Sequence, residues 1–462
     1  MRRRGAPLLP TSLLAALAAL APGCGGAERA LPDVRETSRW DLLVVVLDAL
    51  PASAVGCYGA PRDVTPELDR FAAGALRFEN AFASASYTLT SVASVFTGAT
   101  PMAHRTLGLR TNVLGREHRT LAEALREAGF RTAGISCNPH VTREAGFAQG
   151  FERFDYHARD RLDRHTVPEA ARADALAWWR EHGEERRFLY LHLLPPHCPY
   201  DAPPPYDGEF GAAETERREG MQEFLRELNE GTSYLREDDP AVRRIRARFD
   251  AGLSYADAVL GEILEELAAG GGLDRAVVVV LSDHGEAFGE HGRILHGSTA
   301  YTEMTRVPLL VRWPGIEPGT YAGTVRTRDL AASLCALFGV PWRRDGASGR
   351  PFLGRAVAGD PTGAQPALAR STGNQPQWAL RTESWTYVEH LATGRRELYD
   401  RRADPGERND LSAREPRVTA QLALRLAELL ERERRLGEHV APARRVTTHL
   451  DDIRALGYTD DG

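Results

Sequence analysis

Asp41-Leu42-Leu43-Val44-Val45-Val46-Leu47-Asp48 is the stretch that decides the fold: six apolar residues without interruption, with an acid at either end. A strand with one wet face alternates apolar and polar side chains. A run that does not alternate is buried on both faces, as in a parallel sheet covered by helices on each side. The same form recurs at Phe188-Leu189-Tyr190-Leu191-His192-Leu193-Leu194 and at Ala276-Val277-Val278-Val279-Val280-Leu281-Ser282-Asp283, and residues 307–313 make a fourth candidate. Helical spacing lies between them, at 121–128 before Gly129 and at 256–269 before Gly270-Gly271-Gly272. Strands alternating with helices predict an α/β sandwich around a mostly parallel central sheet.

Beyond about residue 345 glycine and proline become frequent. Trp385-Thr386-Tyr387-Val388 and Glu397-Leu398-Tyr399 read as a hairpin, and a charged helix is expected over roughly 416–435. The expected organisation is a leader over 1–23, a tether over 24–38, a catalytic domain over 39–345 and a small α+β subdomain over 346–462. There are no internal repeats.

The leader carries Arg2, Arg3 and Arg4 ahead of a short apolar stretch from Leu8 to Ala21, as an export signal does. It closes on Ala21-Pro22-Gly23-Cys24, which resembles a bacterial lipobox. The expectation is therefore an exported protein, periplasmic or at the cell surface, touching the membrane only through a lipid on Cys24. A formal net charge of -6 over 462 residues gives no reason to expect nucleic acid as a partner. Every one of the 58 basic residues is arginine, so an anion must be held by guanidinium, imidazole, metal or backbone amide. Cys57, Cys137, Cys198 and Cys335 show no metal spacing and read as structural or free thiols.

Three of the expected strands end in groups that bind metals or anions: Asp48, the pair Asp283-His284, and His197 just beyond its strand. In open α/β sheets ligands bind at the carboxyl ends of strands, so these groups converge on one edge. A helix starting near Leu89 would leave Thr88 at its N-terminus, among unpaired amides, where a threonine serves either as a cap or as a site residue.

Ordered motifs add a family resemblance. Val46-Leu47-Asp48, Tyr58-Gly59, Thr65-Pro66-Glu67-Leu68-Asp69, Phe78-Glu79-Asn80-Ala81 and Phe96-Thr97-Gly98 resemble the N-terminal region of the sulfatase family of the alkaline-phosphatase superfamily. Ser282-Asp283-His284-Gly285-Glu286, Gly289-Glu290-His291-Gly292 and Arg306-Val307-Pro308-Leu309 resemble its second metal block. Leu398-Tyr399-Asp400 with Asp404-Pro405-Gly406-Glu407 and Asn409 resembles its C-terminal signature. The resemblance implies an alkaline-phosphatase-like core with a small C-terminal sheet, and a hydrolase of ester bonds.

The departures narrow it. Counting back from Thr97-Gly98, the position that sulfatases oxidise to formylglycine falls on Thr88. Threonine carries a methyl on its carbinol carbon, so oxidation would give a ketone and the formylglycine route is closed. The paired acids of sulfatases are reduced to Asp48, followed by Ala49, and the sulfate-clamping lysines have no counterpart. What remains resembles the lipoteichoic-acid synthases and phosphoethanolamine transferases, whose pattern implies one divalent metal on Asp48, Thr88, Asp283 and His284. His197 and His296 are implied as phosphoryl contacts, whereas His140, His192 and His291 are expected to be structural or supporting. The mixed oxygen and imidazole set suits Zn²⁺ or Mn²⁺ better than Ca²⁺.

The expected activity is hydrolysis of phosphate or sulfate esters of a small molecule, glycan or lipid, with Thr88 as nucleophile. Phosphate is favoured because a sulfo-threonine lacks the elimination route of a formylglycine hydrate. The alternatives are a sulfuric ester hydrolase without formylglycine, a phosphoryl transferase and a non-enzymatic binding lipoprotein. Transferases of this kind carry several membrane spans, and no later segment here is apolar for long enough to cross a bilayer. Arg110, Asn138 and Arg306 are candidates for the pocket wall.

Overall fold

A computed structural model describes residues 30–107, 113–157, 167–211, 235–342, 348–372 and 376–440. The leader, Cys24 and Arg110 lie outside them. Eight strands form the central sheet. In chain order they are β1 (Asp41–Leu47), β2 (Leu76–Phe82), β3 (Arg131–Ser136), β4 (Arg153–Tyr156), β5 (Arg187–Leu193), β6 (Ala276–Leu281), β9 (Leu309–Arg312) and β10 (Gly319–Arg326). The short pair β7 (Ala287–Phe288) and β8 (Ile294–Leu295) forms a hairpin after β6. The order across the large sheet is β10-β2-β9-β6-β1-β5-β3-β4, so β1, β5 and β6 lie side by side in its middle.

The unbroken apolar runs divide between the two faces. Leu42, Val44 and Val46 of β1 join a core on one side, with Val277 and Val279 of β6. Leu43, Val45 and Leu47 join a second core on the other, with Val278 and Val280. Burying each such side chain is worth about 1.5–3 kcal/mol, so a polar residue anywhere in this run would be costly. All pairings in the sheet are parallel except those of β9, which runs against β2 and β6. The fourth candidate strand was therefore correct in place but reversed in direction and shorter than expected.

The helices match expectation only in part. Leu121–Glu127 is held by a capping box at Thr120 and stops ahead of Gly129, where φ is +87°. The helix expected from 256 instead runs Pro240–Ala269, capped by Asp239 with Pro240 in its first turn. Its opening turns carry Arg243, Arg244 and Arg246, which hide the apolar spacing. Within the expected tether, Val34–Thr37 forms a helical turn, and Leu31 packs on the first core.

The second sheet is antiparallel: β11 (Ala367–Arg370), β12 (Gln377–Arg381), β13 (Trp385–His390) and β14 (Arg396–Asp400), in that order. Leu368, Trp378, Leu380, Tyr387 and Leu398 pack one face on the helix Pro416–Leu436, while Ala369, Ala379 and Val388 pack the other on Ala300 and Tyr301. Phe352, Leu353 and Ala356 still belong to the first core, so packing changes nearer residue 367 than 346. Among the described residues no helix is long and apolar enough to cross a membrane, and Cys57, Cys137, Cys198 and Cys335 form no disulfide with one another.

Candidate active site

Adjacent strands deliver the central groups. Asp48 follows β1 directly, and Asp283 and His284 follow β6, which pairs with β1 in register. The nearest ligand atoms of Asp48, Asp283 and His284 lie within 4.8 Å of one another, and all three residues are buried. Thr88 opens the helix Thr88–Thr97, and the sequence alone left its role open between cap and site residue. Tyr87 holds the cap position, and no side chain caps this helix. The Thr88 hydroxyl instead lies 3.0 Å from His284 Nε2. The Ser91 hydroxyl donates to the Asp283 carbonyl at 2.6 Å, pinning this helix to the end of β6.

Partners fix the protonation pattern. His284 Nδ1 donates to the Gly285 carbonyl at 2.8 Å, so Nε2 presents its lone pair to Thr88 and the two acids. Asp48 Oδ2 accepts from Asn138 and lies 3.0 Å from His192 Nε2, whose other ring nitrogen meets the Tyr190 hydroxyl at 2.9 Å. Asp283 Oδ1 accepts from the Ala49 amide at 3.3 Å. Asp48 Oδ1 and Asp283 Oδ2 are buried with no hydrogen-bond partner among the described residues.

Two buried acids with orphaned oxygens, 3.8 Å and 3.4 Å from one imidazole nitrogen, are an unbalanced arrangement. Burial and the charge of Asp48 push Asp283 above the usual carboxylate range. Burial works against Asp48 too, but His197, His192 and His284 together hold it below that range. A buried carboxylate oxygen without a donor costs several kcal/mol, and a divalent cation is the group that removes this cost for both acids at once. Two carboxylates, an imidazole and a hydroxyl fit such a cation as ligands.

His197 and His296 flank this centre. The His296 ring is 4.4 Å from that of His284 and 4.8 Å from that of His197, centroid to centroid. The β7–β8 hairpin accounts for the return: it doubles the chain back so that His296 stands beside His284 again. His296 Nδ1 lies 3.1 Å from Glu286 Oε1, and His197 Nδ1 donates to the Cys198 carbonyl at 2.7 Å. Burial drives the His197 imidazole down to about 4, with Asp48 pulling the other way. Burial pushes Glu286 up to about 7, against the pull of His197 and His284.

The remaining candidates divide. Asn138 and His192 support Asp48, and His140 meets the Tyr87 hydroxyl at 3.2 Å. His291 is stacked on Tyr301 at 3.7 Å and bonded to Glu303 and the Glu407 carbonyl, as a structural residue. Arg306 does not line the site: its Nε donates to the Glu79 carbonyl and its guanidinium lies over Tyr58. Glu286 was quoted within a motif without a role, and its signal was its place two residues after His284.

Buried acids and imidazoles gathered at the carboxyl edge of such a sheet mark a ligand site. Residues 41–340 match the sulfatase family model, and the chain belongs to that family. It is 25% identical over 439 residues to the ulvan-active sulfatase of Formosa agariphila, covering 85% of this chain and 82% of that one. The phosphonate monoester hydrolase of Silicibacter pomeroyi has the same fold, with a TM-score of 0.71 at 19% identity over 85% of this chain and 96% of that one. That of Agrobacterium radiobacter gives 0.69 at 20% identity, covering 86% and 96%. The protein is thus a hydrolase acting on sulfate or phosphate esters.

Proposed function

We propose that this hydrolase is exported, depends on one divalent metal, and cleaves phosphate esters through Thr88 as nucleophile. The observation that supports this most directly is the Thr88 hydroxyl. It leaves its helix uncapped and faces His284 Nε2 at 3.0 Å, beside the orphaned acid oxygens. A divalent cation, with Zn²⁺ or Mn²⁺ favoured, held by Asp48, Asp283, His284 and Thr88 would acidify that hydroxyl and offset charge on the transferred group.

The protein's own groups supply the rest. The first amides of the helix Thr88–Thr97 favour an anion at Thr88. The Thr88 oxygen bonds to phosphorus as its proton is lost to solvent, and the bond to the leaving oxygen breaks. His296, kept protonated by the bound anion, gives that oxygen a proton. Water then attacks phosphorus and returns free Thr88 and phosphate. Sulfate is the second substrate class, supported by the name of the Formosa relative, which also favours a glycan ester over a lipid one. Export rests on Arg2, Arg3, Arg4 and the apolar stretch that follows, and Cys24 supplies the lipid anchor.

Steady-state rates on matched 4-nitrophenyl phosphate, phosphodiester and sulfate, with and without chelator, test this. The expected result is phosphoester turnover lost on chelation, restored by Zn²⁺ or Mn²⁺, and a phosphorylated Thr88 detected by mass after brief exposure. Turnover that survives Thr88→Ala with metal still bound would sink the nucleophile assignment.

A further inference from the structure

Glu286 has no place in the chemistry just described, yet it is fully buried beside it. Its Oε1 lies 3.1 Å from His296 Nδ1, and the His296 side chain is 2% exposed. A carboxylate deep in a core is costly unless it has a task or a partner, and the partners here are a site imidazole and the side chain of Tyr200. An imidazole has two distinct nitrogens, and whichever one a carboxylate engages, the other is the one turned to the reaction. The geometry points to Glu286 as a positioning residue: it engages His296 Nδ1, fixes the ring plane between His284 and His197, and reserves Nε2 for the leaving-group oxygen.

Local structure supports this. His296 directly follows β8, whose last residue, Leu295, adopts a left-handed conformation with φ of 61°. Its backbone is thus set by a two-residue strand that ends on a strained residue. Glu286 lies on the other arm of the same hairpin, directly before β7. The hairpin holds both ends of the contact, so ring and carboxylate move together. The His284 ring packs against that of His296 at 4.4 Å, tilted by 33°, which limits rotation of the ring. Glu286 touches no reacting atom in this scheme and acts only through His296.

This inference rests on the assignment of His296 as the proton donor to the leaving oxygen. The test compares an ester with a good leaving group, 4-nitrophenolate, and one with a poor alkyl leaving group, from whichever ester class the wild-type enzyme turns over. Glu286→Gln keeps the shape of the side chain but can donate as well as accept, so the ring loses its fixed orientation. The expected result is a fall in kcat of about 10- to 100-fold on the alkyl ester and a fall at least tenfold smaller on the 4-nitrophenyl ester, with KM little moved, because only the poor leaving group needs its proton. In a His296→Ala background the same substitution should add nothing.

Equal losses on both esters, or additivity with His296→Ala, would overturn the assignment. So would a loss of bound metal by elemental analysis that accounts for the fall in rate. Should Glu286→Gln not fold, Glu286→Asp keeps the charge and withdraws it by one methylene, and the same leaving-group signature is expected. Thr88→Ala run alongside separates the two claims: survival of turnover there refutes the nucleophile and leaves the Glu286 comparison readable.

Discussion

Strand β1 begins on one buried aspartate and is followed directly by another, and the two could hardly be treated more differently. Asp41 accepts from the Arg187 amide at 2.8 Å and the Arg187 guanidinium at 2.5 Å, and from Arg275 Nε at 3.1 Å. Its charge is matched and its oxygens are filled. Asp48 is equally buried, yet one oxygen has no partner among the described residues and the other rests on an amide and an imidazole. Fold and length of burial are the same at both ends, so the contrast isolates what a working carboxylate looks like: it keeps an oxygen in reserve.

The sharpest way to break this comparison is at the reserved end. Asp48→Ala and Thr88→Ala should each lower kcat by about four orders of magnitude, as expected for groups that act as one unit. Metal content by elemental analysis should fall for Asp48→Ala, while its urea midpoint in chelator stays level or rises. A clear drop in that midpoint would show that Asp48 is structural after all.

At the filled end the prediction reverses. Asp41→Ala strands the buried Arg187 guanidinium and should cost about 3–5 kcal/mol in urea denaturation. The turnover per folded molecule should hold. A cost below 1 kcal/mol would mean that Asp41 is not the matched charge described here.

Asn138→Ala and His192→Ala stand between the two ends, since both side chains hold Asp48 Oδ2. Each should weaken metal affinity or activity by roughly 10- to 100-fold, the usual range for partners of metal ligands, read by metal titration. No change in either would detach the supports from the site.

His291 offers the smallest effect and a pH dependence. Burial alone would pull its imidazole down, but the hydrogen bond and charge of Glu303, with the Glu407 carbonyl, outweigh this and raise it to about 9. A group raised on folding stabilises the protein fully below its unfolded value near 6.5 and loses that stabilisation as pH climbs through 9. Unfolding free energies from urea denaturation at pH 6 and pH 10 should differ by about 1–2 kcal/mol in the wild type and converge in His291→Ala. A difference that survives in His291→Ala would place the effect elsewhere.

Much of this was legible because burial on both faces leaves an unbroken apolar run, as in β1, β5 and β6. Strand direction was not, because composition does not encode it, and β9 came out reversed. β2 escaped notice because Arg77, Glu79 and Asn80 interrupt it at the sheet's flank. Asp48, Thr88, Asp283 and His284 were visible from strand ends and ordered motifs. The support of Asp48 was not, since it depends on register: Val46 lies opposite His192, and His192 opposite Ser136, two residues before Asn138. Neighbours across a sheet are set by the fold, and a single sequence does not display them.

The edge of the second sheet carries a last consequence. Ser86 donates its amide to the Arg370 carbonyl and Thr372 donates to the Gly297 carbonyl, so one short length of chain around β11 grips the segment before Thr88 and the segment after His296. The small sheet is therefore a caliper, not an appendage. Shortening the chain ahead of Ala367 would leave every candidate site residue in the sequence and remove the gauge that spaces Thr88 from His296. Such a shortened protein should still bind metal but turn over poorly, and full activity in it would show that the large sheet sets that spacing alone.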